Sequence, residues 1–345
     1  MRVGVDGKTI SGLAQPGPDA LLVHAHQLGL EGVFFRSILD LSPTLDPGEL
    51  REVRAQADAL GLYLEVGVGI VNPYATAEAP KIRVLGAGDY RLGMERLIRA
   101  AQAIGCTELW AVTGSYKPEL PGFFAIDRFR TDAPWPDQLA ATERFLNTLA
   151  PILRDLGCRL NIETHEEITS FEVVRLVEAV GPDVLGVTFD TANVLINAED
   201  PVAAARRVAP YVHLTHLRDA VLSFTADGLV RQVRPCGQGI LDWAAILTIL
   251  AEYAPTLNLS IEAMSPQVLM GLPIFDPRWQ AAHPDLTVTE VAEITRLARR
   301  GEGRTVPNGP SAVTAEHEQP FGEAQKIAFL QESAAYLRAI LATRA

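Results

Sequence analysis

Cysteine is scarce. The chain has three, Cys106, Cys158 and Cys236, too few and too scattered for a disulfide framework or a CxxC zinc site. Reduced thiols in a cytoplasmic protein are the expectation. Basic charge is also in deficit, with 30 Lys and Arg against 42 Asp and Glu, a net charge of -12 and a pI near 5.1. That balance argues against a protein whose affinity comes from phosphate-backbone contacts, so no nucleic-acid partner is expected. No uninterrupted apolar stretch approaches the roughly 20 residues of a membrane helix. The opening residues, Met1 to Asp6, run straight into a strand-like segment without a signal-peptide pattern. A soluble protein with no membrane partner is expected.

What the chain does have is length and alternation. Its 345 residues, 48% of them apolar, can bury a large core, and an α/β barrel uses about 250 residues as one domain. Strand-like runs at 2–6, 31–36, 62–67, 108–112 and 158–163, two more closing at Asp190 and His216, and an eighth at 257–262 are separated by helical segments. Those helices are expected over 18–28, 47–60, 89–104, 138–156, 170–180, with Ser170 as N-cap, 201–208 and 241–253. This is the pattern of parallel strands with crossover helices, and eight of them predict a single (β/α)8 barrel over residues 1–264. A loop at 113–136, carrying Tyr116, Lys117, Pro118 and Pro121, is long enough to suggest function. Residues 218–240 form another, with a tight turn at 226–228 suggesting a small hairpin. The remaining 265–345 read as an extension packing on the barrel, as a lid, a last helix or an oligomer contact. It comprises a proline- and aromatic-rich segment (265–285), a helix (288–299), a polar linker (301–320) and a final helix (321–341).

The chemistry concentrates where the later strands end. Apolar runs close on Glu163, Asp190, His216 and Glu262, and residues at the carboxyl ends of parallel strands project into the mouth of a barrel. Three carboxylates and one imidazole make an oxygen-rich set suited to one divalent ion such as Mn²⁺, Mg²⁺, Co²⁺ or Zn²⁺. The bland alternative for each is a solvated loop residue. His213 is three residues from His216, an odd spacing in a strand, and is expected to face the helix layer. His165 stays on the side of Glu163, either orienting substrate or metal or lying at the surface, while Glu166 is expected to face water. Lys8 and Arg36 suit a substrate carboxylate or phosphate or are rim charges. Trp110 either stacks on a sugar or belongs to the core.

The segments 162–170, Phe189 to Asn193, His213 to Asp219 and Ile261 to Glu262 resemble the signature segments of the sugar phosphate isomerase/epimerase group within the xylose isomerase-like TIM barrel superfamily. The resemblance implies that Glu163, Asp190, His216 and Glu262 bind one divalent metal, and that Glu163 and Glu262 act as paired acid and base on a small sugar or sugar-acid carbonyl compound through a metal-stabilised enediolate. It implies a substrate-oxyanion role for Arg218, which stands at the family's lysine position, or a salt bridge with Asp219 or another acid. The run 234–243 resembles the family's glycine turn, whose glycines would let the backbone pass close to the site. Asn193 occupies the place of a histidine, and Thr169 that of a glutamate, in the group's ketose 3-epimerases. Asn193 is therefore a substrate-binding candidate of altered type, and a lyase, a dehydratase or decarboxylase of an oxo sugar acid or inosose, is the alternative. Apurinic endonucleases of this superfamily carry a richer histidine set than the seven here. A non-catalytic sugar-binding protein is a further alternative.

Overall fold

The computed structural model describes residues 1–10, 17–117, 119–120, 122–302 and 320–343. Residues 11–16, Pro118, Pro121 and most of the polar linker (303–319) lie outside the described residues. The strands are β1 Arg2–Asp6, β2 Gly32–Phe35, β3 Tyr63–Ile70, β4 Glu108–Val112, β5 Arg159–Glu163, β6 Leu185–Asp190, β7 Val212–His216, β8 Asp219–Thr225, β9 Gly228–Arg234, β10 Asn258–Ile261 and β11 Leu269–Leu272. Eight of them form one parallel sheet in the order β10-β1-β2-β3-β4-β5-β6-β7. Leu217 closes the ring against β10, its N–H donating to the Ser260 carbonyl (2.8 Å) while the Glu262 N–H donates back to Leu217 (3.1 Å). The result is a (β/α)8 barrel.

Between and beyond the strands lie α1 Gly7–Ile10, α2 Pro18–Gln27, α3 Pro47–Ala59, α4 Pro80–Leu85, α5 Tyr90–Ala103 and α6 Trp135–Leu156. They continue with α7 Ser170–Val180, α8 Pro201–Val208, α9 Trp243–Tyr253, α10 Pro277–Ala281, α11 Val288–Glu302 and α12 Glu323–Ala342. Short acidic side chains start several of them: Asp46, Asp89, Asp200 and Asp242 each accept a first-turn N–H. α6 stops at Gly157, whose φ of 61° is the left-handed geometry that ends helices. α7 is capped one residue earlier than the expected Ser170. The Thr169 hydroxyl accepts the Glu172 N–H and the Glu172 carboxylate accepts the Thr169 N–H, a reciprocal box.

The barrel interior holds large side chains in layers. Phe34, Trp110 and Leu214 are buried together, with the Phe34 ring edge-on to Trp110 (centroids 5.9 Å) and to His216 (4.7 Å). Lower down, Tyr63 is accommodated because Gly32 has no Cβ; one there would fall inside the tyrosine ring. The hairpin β8–β9, paired through Thr225 and Gly228, joins β11 in a three-stranded antiparallel sheet, as the turn at 226–228 suggests.

The last helix completes the barrel's outer layer. α12 packs on β1 and β10, burying Phe329, Leu330, Ala334 and Leu337. Gly237 (φ 88°) lies so close to the Tyr336 ring that a Cβ would overlap it, and Gly239 lies equally close to the Asp219 carboxylate. The glycines of the 234–243 turn therefore make room for α12 and Asp219, and not for the strand-end cluster.

Candidate metal centre

Side-chain alternation along the parallel strands delivers four ionisable groups to one place. Glu163 ends β5, Asp190 ends β6, His216 ends β7 and Glu262 follows β10. All four are buried, and one ligand atom from each lies within 4.8 Å of the others. The His216 Nε2 atom is buried without a hydrogen-bond partner, and Glu262 Oε2 makes no hydrogen bond beyond its ion pair with Arg218. Buried polar atoms normally have partners, so the orphaned imidazole nitrogen and the three-carboxylate, one-imidazole donor set fit a divalent cation.

The cluster is bonded on every side. Trp110 Nε1 donates to Glu163 Oε2 (2.6 Å), and His216 Nδ1 lies 3.2 Å from Glu163 Oε1. Asp190 Oδ1 accepts the N–H groups of Ala192 and Asn193, each at 2.9 Å. Two arginines supply the positive charge. Arg218, 2% exposed, donates to Asp190 Oδ2 (2.6 Å), lies 3.2 Å from Glu262 Oε2 and donates to Asn193 Oδ1 (2.9 Å). Arg36 donates to Asp6 Oδ2 (2.7 Å) and to Glu262.

These contacts set the charge states. Burial pushes the Glu262 carboxyl up, but Arg218, Arg36 and His216 outweigh it and hold it well below the usual carboxylate range. Burial also opposes charge on Glu163, and His216 overcomes that to keep it low. Asp190 is pushed up to about 6, by burial first, with Arg218 pulling down and Glu262 and Glu163 pushing up. Burial disfavours a charged His216, yet the facing Glu163 raises it to about 9. Both glutamates are thus anionic at neutral pH.

The other sequence-selected residues divide. Asn193 lies inside the cluster, its Nδ2 3.5 Å from Glu163 Oε1 and its Oδ1 accepting from Arg218. His165 stands beside it in a second acidic group, its Nδ1 2.8 Å from Glu166 and 2.5 Å from Glu167. Burial works against charge there, and the two glutamates outweigh it to hold the imidazole well above its usual pKa. Glu166, expected to face water, is 4% exposed, its carboxylate turned onto His165. Lys8 is exposed on α1, where its N–H donates to Asp6 Oδ1 (2.8 Å). His213 is half-buried and lines a small cavity with Glu65 and Glu108, away from His216. Asp219 does not pair with Arg218; it accepts from Trp243 Nε1 (2.8 Å) and from backbone N–H groups of Ala220, Gly237 and Leu241. Thr169 is spent on capping α7.

A cavity of about 850 Å³ opens beside the cluster, lined among others by Tyr116, Phe129, Glu166, Met270, Trp279 and His283. Its wall includes none of the four cluster residues; Asp190 and Glu262 are engaged by Arg218 and Arg36, and Glu163 by Trp110 and His216. Two buried residues, His283 in that wall and Arg231 behind Met270, carry no signal in the sequence. His283 is buried between the Trp279 carbonyl (2.7 Å) and Asn197 Oδ1 (3.0 Å), and burial pulls it down to about 3. Arg231 on β9 is buried beside Asn193, and burial, with Arg218 adding to it, lowers its guanidinium to about 10. Both lie in segments of irregular hydropathy, where periodicity marks no buried face.

Comparison with known proteins agrees with the barrel fold. The chain is 34% identical over 97 residues to the uncharacterized protein YihM of Escherichia coli, a match spanning 28% of this chain and 30% of that protein. It is 23% identical over 261 residues to 3-oxo-isoapionate decarboxylase of Pectobacterium atrosepticum, covering 73% of this chain and 80% of the other. Among solved structures, D-psicose 3-epimerase with D-tagatose from Clostridium cellulolyticum superposes with a TM-score of 0.62 at 15% identity, over 99% of both chains. No helix among the described residues is long and apolar enough to cross a membrane. The family described as xylose isomerase-like TIM barrel matches residues 22–300, and the chain belongs to that family.

Proposed function

We propose that the protein is a divalent-metal-dependent isomerase or epimerase acting on a small sugar or sugar-acid carbonyl compound. The observation that carries this reading is the convergence of Glu163, Asp190, His216 and Glu262 within 4.8 Å at the carboxyl ends of four strands. These four would hold the ion, and Mn²⁺, Mg²⁺, Co²⁺ and Zn²⁺ all accept such a donor set. A cation bound there would stabilise the negative charge that develops when a carbon beside a carbonyl loses its proton.

The proton itself falls to the glutamates. Glu163 and Glu262 rise from strands three steps apart one way around the ring and five the other, so they address a substrate from different sides. Each is held as a carboxylate, ready to take a proton from carbon, and each can return one from its own face. Trp110 and Asn193 hold Glu163, and Arg36 and Arg218 hold Glu262, which fixes both rotamers. His165, Asn193, Arg218, Arg36 and Lys8 are the candidates for substrate contacts, with Asn193 and Arg218 nearest the reacting centre. A hydroxylated carbonyl compound in the adjoining cavity would be shielded from water by the 270–283 segment.

A second reading, a lyase that dehydrates or decarboxylates an oxo sugar acid or inosose, draws support from two positions. Asn193 stands where the ketose 3-epimerases carry histidine, and Thr169, in place of their glutamate, is committed to capping α7. The likeness to a decarboxylase points the same way.

Elemental analysis by plasma mass spectrometry on gently purified protein tests the common core of both readings. The wild type should carry about one divalent ion per chain, and Glu262→Gln clearly less, since each lost ligand weakens the site. No ion in either, even after incubation with Mn²⁺, Co²⁺ or Zn²⁺, would leave a sugar-binding protein as the better description. Mass spectrometry of products from candidate ketoses and oxo acids then separates the two: an isomer keeps the substrate's mass, whereas a lyase product loses CO₂ or water.

A further inference from the structure

One buried cation beside the cluster lacks an anion. Arg231 is 0% exposed, with NH1 donating to the Ala192 carbonyl (3.3 Å) and Asn193 Oδ1 (3.0 Å) and NH2 2.7 Å from Met270 Sδ. Its Nε is buried without any partner. Other arginines differ: Arg218 holds Asp190 and Glu262, Arg36 holds Asp6 and Glu262, and Arg128 holds Glu172. No carboxylate among the described residues forms an ion pair with Arg231. Burying a guanidinium without a counter-charge is costly, so an arrangement that does so beside a reactive centre calls for a ligand.

The contacts also show where that ligand would sit. Asn193 Oδ1 accepts from both Arg218 NH2 and Arg231 NH1, two cations converging on one neutral oxygen. Asn193 in turn approaches Glu163 through its Nδ2, so Arg231 is one side chain removed from the four-residue cluster. On the other side, Arg231 touches Met270, which lines the 850 Å³ cavity. A thioether is a weak acceptor that an oxyanion readily displaces. Of the acids in that wall, Glu166, Asp227 and Asp276, none forms an ion pair with Arg231, and Glu166 is engaged by His165 at 2.8 Å.

We infer that Arg231, with Arg218, forms a subsite for an acidic group of the substrate, a carboxylate or a phosphate borne by the polyhydroxylated compound. The planar guanidinium fork suits either oxyanion. The inference rests on the reading that substrate chemistry occurs at the neighbouring cluster, and it makes the substrate a sugar acid or sugar phosphate in preference to a neutral ketose.

The test measures binding of D-glucitol, D-gluconate and D-glucitol 6-phosphate to the full chain by calorimetry at fixed ionic strength, first with no metal added. Wild type should bind one of the acids about tenfold or more tighter than D-glucitol, the scale of one charge-assisted hydrogen bond. Preference for gluconate assigns a carboxylate, and preference for the phosphate ester a phosphorylated substrate. Arg231→Gln should bring that acid to the level of glucitol, and Arg231→Lys should restore part of the difference. Equal binding of all three by wild type, or undiminished acid preference in Arg231→Gln, overturns the inference. The wild-type comparison decides the matter even if Arg231→Gln fails to fold. A parallel Mn²⁺ titration separates the two readings. A chain that takes no Mn²⁺ but prefers an acid sinks the metal-dependent function alone. One that binds Mn²⁺ and treats the three polyols alike sinks the acid subsite alone.

Discussion

At the scale of single residues, Arg218 is the side chain with most at stake. It pairs with Asp190 and shares Glu262 with Arg36, and removing one partner of a buried ion pair leaves the other charge undercompensated. Arg218→Met is expected to lower stability by about 3–5 kcal/mol in the presence of a chelator, with much of the loss recovered when Mn²⁺ is added. Urea unfolding with and without metal checks this, and a loss that metal does not touch would show that Asp190 and Glu262 do not ligate it. Glu65 is the second case. It lies inside the barrel, accepting from Asn258 Nδ2 (2.8 Å) and Ser260 Oγ (3.2 Å), and burial pushes it up to about 7 from 4.5, those hydrogen bonds notwithstanding. A carboxyl whose folded pKa exceeds its unfolded one favours the folded state when protonated. The stability it costs is absent below pH 4.5 and grows as pH rises through 7, on the order of 3 kcal/mol. Glu65→Gln should therefore match wild type near pH 4 and exceed it by that amount near pH 8. A variant whose urea midpoint differs from wild type equally at both pH values would contradict the assignment.

Among the elements, α12 and the 113–136 loop decide how the barrel is finished. α12 stands where the helix after β10 is needed, against β1 and β10, with Leu337 0% exposed. Leu337→Ala should cost about 2–5 kcal/mol, the range for a deleted core leucine, read as a lowered unfolding midpoint. A change under half a kcal/mol would mean the helix is dispensable to the barrel. The 113–136 loop is anchored by Arg128, which donates to Glu172 Oε2 (2.7 Å) and Oε1 (3.0 Å), to the Glu167 carbonyl (3.0 Å) and to the Ala282 carbonyl. One guanidinium thus ties that loop to the start of α7 and to the tail segment, holding two cavity walls together.

For the whole molecule, the candidate metal centre joins side chains from four strand ends that unfolding separates, so any ion bound only by the folded state must stabilise the fold as a whole. At 100 times its dissociation constant, Mn²⁺ should add about 2.7 kcal/mol to wild-type stability and raise the melting temperature with concentration. Glu262→Gln should lose most of that response. A melting temperature indifferent to Mn²⁺ in wild type would remove the folded-state site.

The barrel and its four strand-end groups were legible because both depend on local order along the chain. Alternating apolar runs and helical periodicity are written in consecutive residues, and a parallel strand presents its last side chains at one predictable end. Asp219 and Thr169 were harder to read, since the same short polar side chain serves as a cap, a turn or a catalytic group according to what faces it. The partners of Arg218, Arg231, Glu166 and His283 stood beyond reach. Asn193 and Arg231 are 38 positions apart, Arg36 and Glu262 are 226, and nothing in the residues between says that they meet. Strand pattern, strand-end chemistry and family signature were determined by the sequence alone. Which cations meet which carboxylates, and that α12 completes the outer layer, were decided by barrel closure, because only a closed sheet brings distant strand ends and their loops around one mouth.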